Sequence, residues 1–249
     1  MLPKIFLETP FAHRTLHNVS DGRPENSIAG VKAAIEHGYG IEIDLQISKD
    51  GIPMVFHDYS LERLTDETGA VAQFTAAELG AMTLKGGKEG IPTFETFLKF
   101  VDGRVPMLVE IKDQDGALGP NVGPLSEASC ALLKEYSGPK ALMSFNPHAI
   151  AKCTIFAPEI VRGLVTGAFI PKKWEMVPKT RLDELAEIPD YDRVGACFIS
   201  HNIKYLNDVP VKVLKDRGSA IFCWTVRSSE VEKQARLVAD NITFEGYLA

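Results

Sequence analysis

The chain has 249 residues, 45% hydrophobic and 24% charged, the balance of an ordinary globular protein with material for one large core. Its formal net charge of -6 offers no electrostatic attraction to nucleic acid or an anionic membrane, so an anionic ligand must be captured by a local site. The first residues lack the long apolar core of a signal peptide and no segment approaches a membrane span, so a cytoplasmic protein without stable membrane insertion is expected.

In chain order, apolar or alternating runs predict strands at 5–13, 40–48, 105–111, 141–145, 160–165, 196–200, 220–224 and 241–244. Between them, residues 27–37, 93–101, 125–136, 148–156, 207–217 and 229–238 carry apolar side chains at helical spacing. Asn26 or Ser27, Thr93, and Ser228 or Ser229 mark helix starts, while Gly38, Gly138 and Gly218 mark helix ends. The stretch 175–192 gives the weakest signal. Ser48-Lys49-Asp50-Gly51 followed by residues 52–56 reads as a tight hairpin after the second strand, because Asp-Gly supplies the positive φ such turns need. Eight strands alternating with helices favour a closed (β/α)8 TIM barrel, α/β in class, over an open doubly wound sheet. With no repeat and no Gly/Ser-rich linker, residues 1–249 are expected to form a single domain. Cys130, Cys153, Cys197 and Cys223 form no C-x-x-C pair and read as buried free thiols.

Glu42 and Asp44 lie two apart in a strand, so both point to one face while Ile41, Ile43 and Leu45 point to the other. Glu110 and Lys112 repeat that spacing in a later strand. Carboxylates crowded inside a barrel repel and raise one another's pKa unless a cation neutralises them. Either a hard divalent ion (Mg²⁺, Ca²⁺ or Mn²⁺) or salt bridges to Arg14 and Lys112 would serve. His13 and Arg14 end the first strand, where barrels carry active-site residues, and His57 ends the hairpin strand. Two imidazoles near a bound substrate suit general acid and base work near neutrality. His17, His37 and His148 read as exposed or capping groups, and His201 as a weak candidate without a partner. Trp174 either lines the mouth of the site or covers the barrel's flank, and Ser144 and Asn146 are minor supporting candidates.

The sequence resembles the glycerophosphodiester phosphodiesterases, especially the small cytoplasmic bacterial members. The resemblance is carried by Ala12-His13-Arg14, Arg23-Pro24-Glu25-Asn26-Ser27, Ile41-Glu42-Ile43-Asp44-Leu45, Ser48-Lys49-Asp50-Gly51 and Val55-Phe56-His57-Asp58. It continues through Leu61-Glu62-Arg63, Ile91-Pro92-Thr93-Phe94, Val109-Glu110-Ile111-Lys112 and Trp224-Thr225-Val226. It implies a barrel with a small insertion at 59–90, and metal-dependent hydrolysis of a small-molecule glycerophosphodiester to sn-glycerol 3-phosphate and an alcohol. By the same resemblance Glu42, Asp44 and Glu110 hold the divalent metal, Mg²⁺ or Ca²⁺ with Mn²⁺ as a further option, and His13 and His57 are the acid–base pair. Arg14 and Lys112 contact phosphate, Glu25 and Asn26 support the site, and Trp224 packs on glycerol.

Two departures mark this chain: Thr15 stands where the family has glycine, after which the loop to Glu25 is longer than usual, and Thr243-Phe244-Glu245-Gly246 replaces a closing Thr-Asp. No role is assigned to Glu245. Two other readings share the barrel, a lysophospholipase D or sphingomyelinase D-like phosphodiesterase and a non-catalytic phosphodiester-binding protein. The sequence does not give the oligomeric state.

Overall fold

A computed structural model describes residues 2–249. Its strands are β1 (Phe11–Ala12), β2 (Gly40–Ile47), β3 (Pro53–Val55), β4 (Met107–Ile111), β5 (Lys140–Ser144), β6 (Arg162–Thr166), β7 (Phe198–Asn202), β8 (Ala220–Val226) and β9 (Asn241–Phe244). All but β3 run parallel, and β1 pairs with both β2 and β9, so eight strands close into a barrel. The helices are α1 (Ile5–Glu8), α2 (Ile28–His37), α3 (Ala76–Ala81), α4 (Phe94–Val101), α5 (Leu125–Glu135), α6 (Pro147–Phe156), α7 (Lys179–Ala186), α8 (Val209–Asp216) and α9 (Ser229–Ala235). None is long and apolar enough to cross a membrane.

The expected caps form where their chemistry places them: the side chains of Ser27, Thr93 and Ser228 accept from the backbone N–H of Gly30, Thr96 and Val231. The Ser48 to Gly51 turn also forms, with Gly51 at φ 80° and β3 antiparallel to β2. Residues 59–90 gather around a small apolar cluster of their own, including Leu61, Leu64, Val71, Leu79 and Leu84, packed with Met54 and Phe56 of the hairpin.

Strand parity sorts the barrel into two chemistries. Ile41, Ile43 and Leu45 join the cluster between sheet and helices, while Glu42, Asp44 and Gln46 are buried on the opposite face. Inside the barrel, Phe6, Phe11, Leu108, Ala141, Phe198 and Phe222 form the apolar floor, and the polar groups lie above it toward the C-terminal strand ends.

Two segments differ from the sequence expectation. The strand expected at 5–13 is only Phe11–Ala12; Ile5–Glu8 is a single helical turn that plugs the floor, ended by Pro10. Phe6 stacks on Phe11 at 5.7 Å between ring centroids, and Asn241 Nδ2 donates to the carbonyls of Phe6 and Thr9 at 2.7 Å each. The weak stretch 175–192 contains α7, which buries only Leu182 and Leu185. Three cysteines are buried and Cys197 is half-buried, all as free thiols.

Phe6 is fully buried, so Phe6→Ala is expected to destabilise the fold by about 3–5 kcal/mol in urea unfolding. The floor lies away from the polar end, so ligand affinity of the folded fraction is expected to stay unchanged.

Candidate active site

At the polar end lies a pocket of about 360 Å³, including the solvent at its mouth, lined by His13, Arg14, Glu42, Asp44, His57, Glu110, Lys112 and Trp224. Eight residues singled out in the sequence therefore meet in one place. Register accounts for much of this, because Asp44 pairs directly with Glu110 across β2 and β4. One ligand oxygen each of Glu42, Asp44 and Glu110 lies within 4.8 Å of the others, and all three residues are buried.

Lys112 Nζ sits between two of these acids, 2.7 Å from Asp44 Oδ1 and 2.7 Å from Glu110 Oε1. Arg14 reaches the cluster from the other side, with Nε 3.6 Å from Asp44 Oδ2. Burial alone would raise the Asp44 pKa, but Lys112, His57 and Arg14 outweigh it and hold the carboxyl well below its usual range. Glu42 has no ion-pair partner among the described residues, and the pull of Lys112 only partly offsets its burial. It accepts from the backbone N–H of Arg14 at 3.0 Å, and burial, followed by repulsion from Asp44 and Glu110, pushes its pKa well up. A buried all-oxygen donor set with negative charge left over fits a hard divalent cation.

Both imidazoles have the same arrangement. His13 Nδ1 lies 2.5 Å from Glu245 Oε2, and His57 Nδ1 lies 2.5 Å from Asp58 Oδ1, so in each ring Nε2 is left for the pocket. Burial lowers the His13 pKa below its ordinary value, against the opposing pull of Glu245. Glu245 is held well below the usual carboxylate range, chiefly by its hydrogen bond with His13, with Arg227 adding to the effect.

Glu25 and Asn26 stand behind the pocket wall. Asn26 Nδ2 donates to Asp44 Oδ2 at 3.0 Å, and Arg14 Nη1 donates to Glu25 Oε1 at 2.9 Å. Arg63, from the 59–90 segment, joins both halves of the site. Its Nη1 donates to Glu25 Oε2 at 2.8 Å and its Nε to Asp58 Oδ2 at 2.6 Å.

Three residues went unassigned in the sequence: Glu245, Asp58 and Arg63. Asp58 had a signal in its adjacency to His57; the reach of Glu245 and Arg63 depends on the closed barrel. Trp174 proves to be at the mouth, 5.1 Å from Phe145, which in turn meets Trp224 edge-on at 5.5 Å. His201 points away from the pocket, bonded through Nδ1 to Thr166 Oγ1 at 2.8 Å, with its pKa pushed down to about 4 by burial. Ser144 donates to the carbonyl of Ile111 and Asn146 bridges Asp113 and Gly119, so both brace loops.

Thr15 takes the left-handed backbone that glycine would favour, at φ 71°. Its N–H is fixed by the carbonyl of Glu42 at 3.0 Å, and its buried side chain fills the space over Gly30. A Cβ on Gly30 would stand 2.1 Å from Thr15 Oγ1, so the two positions are matched.

The profile of the "Glycerophosphoryl diester phosphodiesterase family" matches residues 15–243. A glycerophosphodiester phosphodiesterase of Caldanaerobacter subterraneus subsp. tengcongensis is 29% identical over 232 residues, 88% of this chain and 87% of that one. A phosphodiesterase from Oleispira antarctica, solved in complex with the product sn-glycerol-3-phosphate, superposes with a TM-score of 0.78 at 25% identity, covering 96% of this chain and 93% of the other. A glycerophosphodiester phosphodiesterase from Parabacteroides distasonis shares the fold, with a TM-score of 0.75 at 24% identity over 95% of this chain and 92% of that one.

Gly30→Ala is expected to destabilise the protein by about 1–3 kcal/mol through overpacking against Thr15. In a Thr15→Gly background the same change should cost less, a coupling that a double-mutant cycle of unfolding free energies measures directly.

Proposed function

The chain belongs to the glycerophosphoryl diester phosphodiesterase family, and we propose that it hydrolyses glycerophosphodiesters to sn-glycerol 3-phosphate and an alcohol in the pocket at the polar end of its barrel. The observation that carries this function is the pair of imidazoles, each backed by a carboxylate, facing one pocket beside Arg14 and a buried acidic cluster. The product complex of the Oleispira antarctica phosphodiesterase supports the choice of product. The whole chain acts as one barrel unit, with residues 59–90 as an insertion that supports the site.

Glu42, Asp44 and Glu110 are the residues that would hold a divalent cation, Mg²⁺ or Ca²⁺, with Mn²⁺ also matching the oxygen donors. When bound, the ion supplies positive charge to the phosphate oxygens as charge develops on them, an effect of several kcal/mol. Arg14 presents its guanidinium to a non-bridging oxygen, oriented by Glu25. Lys112, already shared by two carboxylates, adds a second cation at the pocket wall. Trp224, fixed by the bond from Nε1 to the carbonyl of Ser200 at 3.0 Å, offers its ring to the carbon chain of glycerol.

Proton transfer is divided between the imidazoles. His13, with its pKa lowered by burial, is the neutral base and takes the proton of the attacking oxygen on Nε2. Glu245, already accepting the Nδ1–H bond, stabilises the imidazolium so formed without taking its proton. As the bond from phosphorus to the departing oxygen breaks, His57 gives a proton to that oxygen, its ring steadied by Asp58.

The two roles separate experimentally. With glycerophosphocholine, His13→Ala and His57→Ala should each lower kcat by about 10²–10⁴. With a glycerophosphodiester of p-nitrophenol, whose leaving group needs no proton, His57→Ala should recover most of its rate and His13→Ala should not. Equal recovery in both variants contradicts the assignment. Exhaustive chelation should abolish turnover, and Mg²⁺ or Ca²⁺ should restore it; activity that survives chelation counts against the carboxylate cluster as a metal site.

A further inference from the structure

The loop after β1 and the segment after β9 meet at one point. The first carries His17, and β9 leads into Glu245. His17 Nε2 lies 3.8 Å from Glu245 Oε2, the same oxygen that His13 Nδ1 approaches at 2.5 Å. The ligand atoms of His13, His17 and Glu245 all lie within 4.8 Å of one another. Behind them opens a second pocket of about 1100 Å³ including its solvent, lined by His17, Asn18, Arg23, His37 and Glu245 but not by His13. An ion can therefore arrive from the outer surface without crossing the catalytic pocket.

We propose that His13, His17 and Glu245 form a second cation site that takes Zn²⁺ and switches turnover off; its effect on rate rests on His13 being the proton acceptor. Two imidazoles and one carboxylate favour Zn²⁺ over Mg²⁺ or Ca²⁺, which prefer oxygen donors such as Glu42, Asp44 and Glu110. Tetrahedral zinc with ordinary bond lengths spaces its ligand atoms about 3.2–3.5 Å apart. The separations from Glu245 Oε2, 2.5 and 3.8 Å, bracket that value and every pair lies within 4.8 Å, so side-chain movements of roughly 1–1.5 Å assemble the site. Arg227 grips the other carboxylate oxygen, Oε1, at 2.6 Å, leaving Oε2 to the imidazoles. Its guanidinium is 64% exposed, so water screens much of its repulsion toward an incoming ion.

Occupancy changes what His13 can do. A bond forms between zinc and Nδ1, which requires the other neutral tautomer: the Nδ1 proton is released to water and Nε2 takes one proton from water. The ring stays neutral, with the Nδ1 lone pair bound to zinc and its one proton on Nε2, where no lone pair is left to accept another. His13 cannot cycle through imidazolium while the ion is bound, and removing zinc restores both Nδ1–H and activity.

The test is a buffered Zn²⁺ titration of the enzyme in excess Mg²⁺, reading turnover of glycerophosphocholine and, by equilibrium dialysis, bound zinc. Wild type should bind one zinc that excess Mg²⁺ does not displace, and turnover should fall at least tenfold as that site fills. His17→Gln should keep its Mg²⁺-supported activity yet bind zinc at least about tenfold more weakly, with the inhibition curve shifted equally. Co²⁺ in place of Zn²⁺ gives a readout independent of activity: a tetrahedral visible spectrum in wild type that His17→Gln loses. Unchanged zinc affinity in His17→Gln, or full displacement by Mg²⁺, overturns the proposal. Absence of turnover on every glycerophosphodiester would instead overturn the proposed reaction, leaving the zinc stoichiometry and cobalt spectrum to judge the site.

Discussion

Three carboxylates held inside a barrel repel one another, and most of what surrounds the pocket answers that repulsion. The register of β2 on β4 sets Asp44 directly beside Glu110, and parity puts Glu42 on the same face. Lys112 and Arg14 neutralise part of the charge, Asn26 donates to Asp44, and the Arg14 backbone donates to Glu42. Such buried ion pairs add little net stability, because desolvation opposes their attraction. The arrangement makes sense as a binding surface kept short of one positive charge. The stability needed to hold it comes from elsewhere, from the aromatic floor around Phe6, Phe11, Phe198 and Phe222 and from the layer between strands and helices.

Several of these features were legible in the sequence because they are local or periodic. Acids at alternate positions of an otherwise apolar strand name the inward face of β2, and Asp50-Gly51 names the turn that returns His57 to it. The α/β alternation was enough to specify a closed barrel, and eight of the ten expected site residues line one pocket, with Glu25 and Asn26 behind its wall. Ile5 to Glu8 looked like a strand because an apolar run carries no sign of whether it will pair or plug; the Phe6 contact with Phe11 decides it. Helix α7 escaped because a helix that buries only Leu182 and Leu185 has almost no apolar stripe.

Long-range geometry was not legible. Glu245 stands 232 positions from His13 and meets it only because β9 closes against β1. Thr15 looked misplaced beside a glycine-favouring backbone until Gly30 across the interface supplied the missing space. His201 and Ser200 are neighbours in sequence, yet parity sends Ser200 to the pocket and His201 behind the sheet. For Glu245 and Thr15 the missing information is a contact between distant segments, which spacing along one element does not encode; for His201 it is which of the two alternating strand faces meets the pocket.

Arg63 is the only residue of the 59–90 segment that grips Glu25 and Asp58 together, among the hydrogen bonds of the described residues. Through Glu25 it bears on Arg14, and through Asp58 on His57. The segment that delivers it rests on a small cluster separate from the barrel's own. Small clusters open at lower free energy than a global core. The working lifetime of the site on heating is therefore set by this outlying patch, and the barrel can remain folded after the phosphate arginine and the His57 imidazole have together lost their alignment.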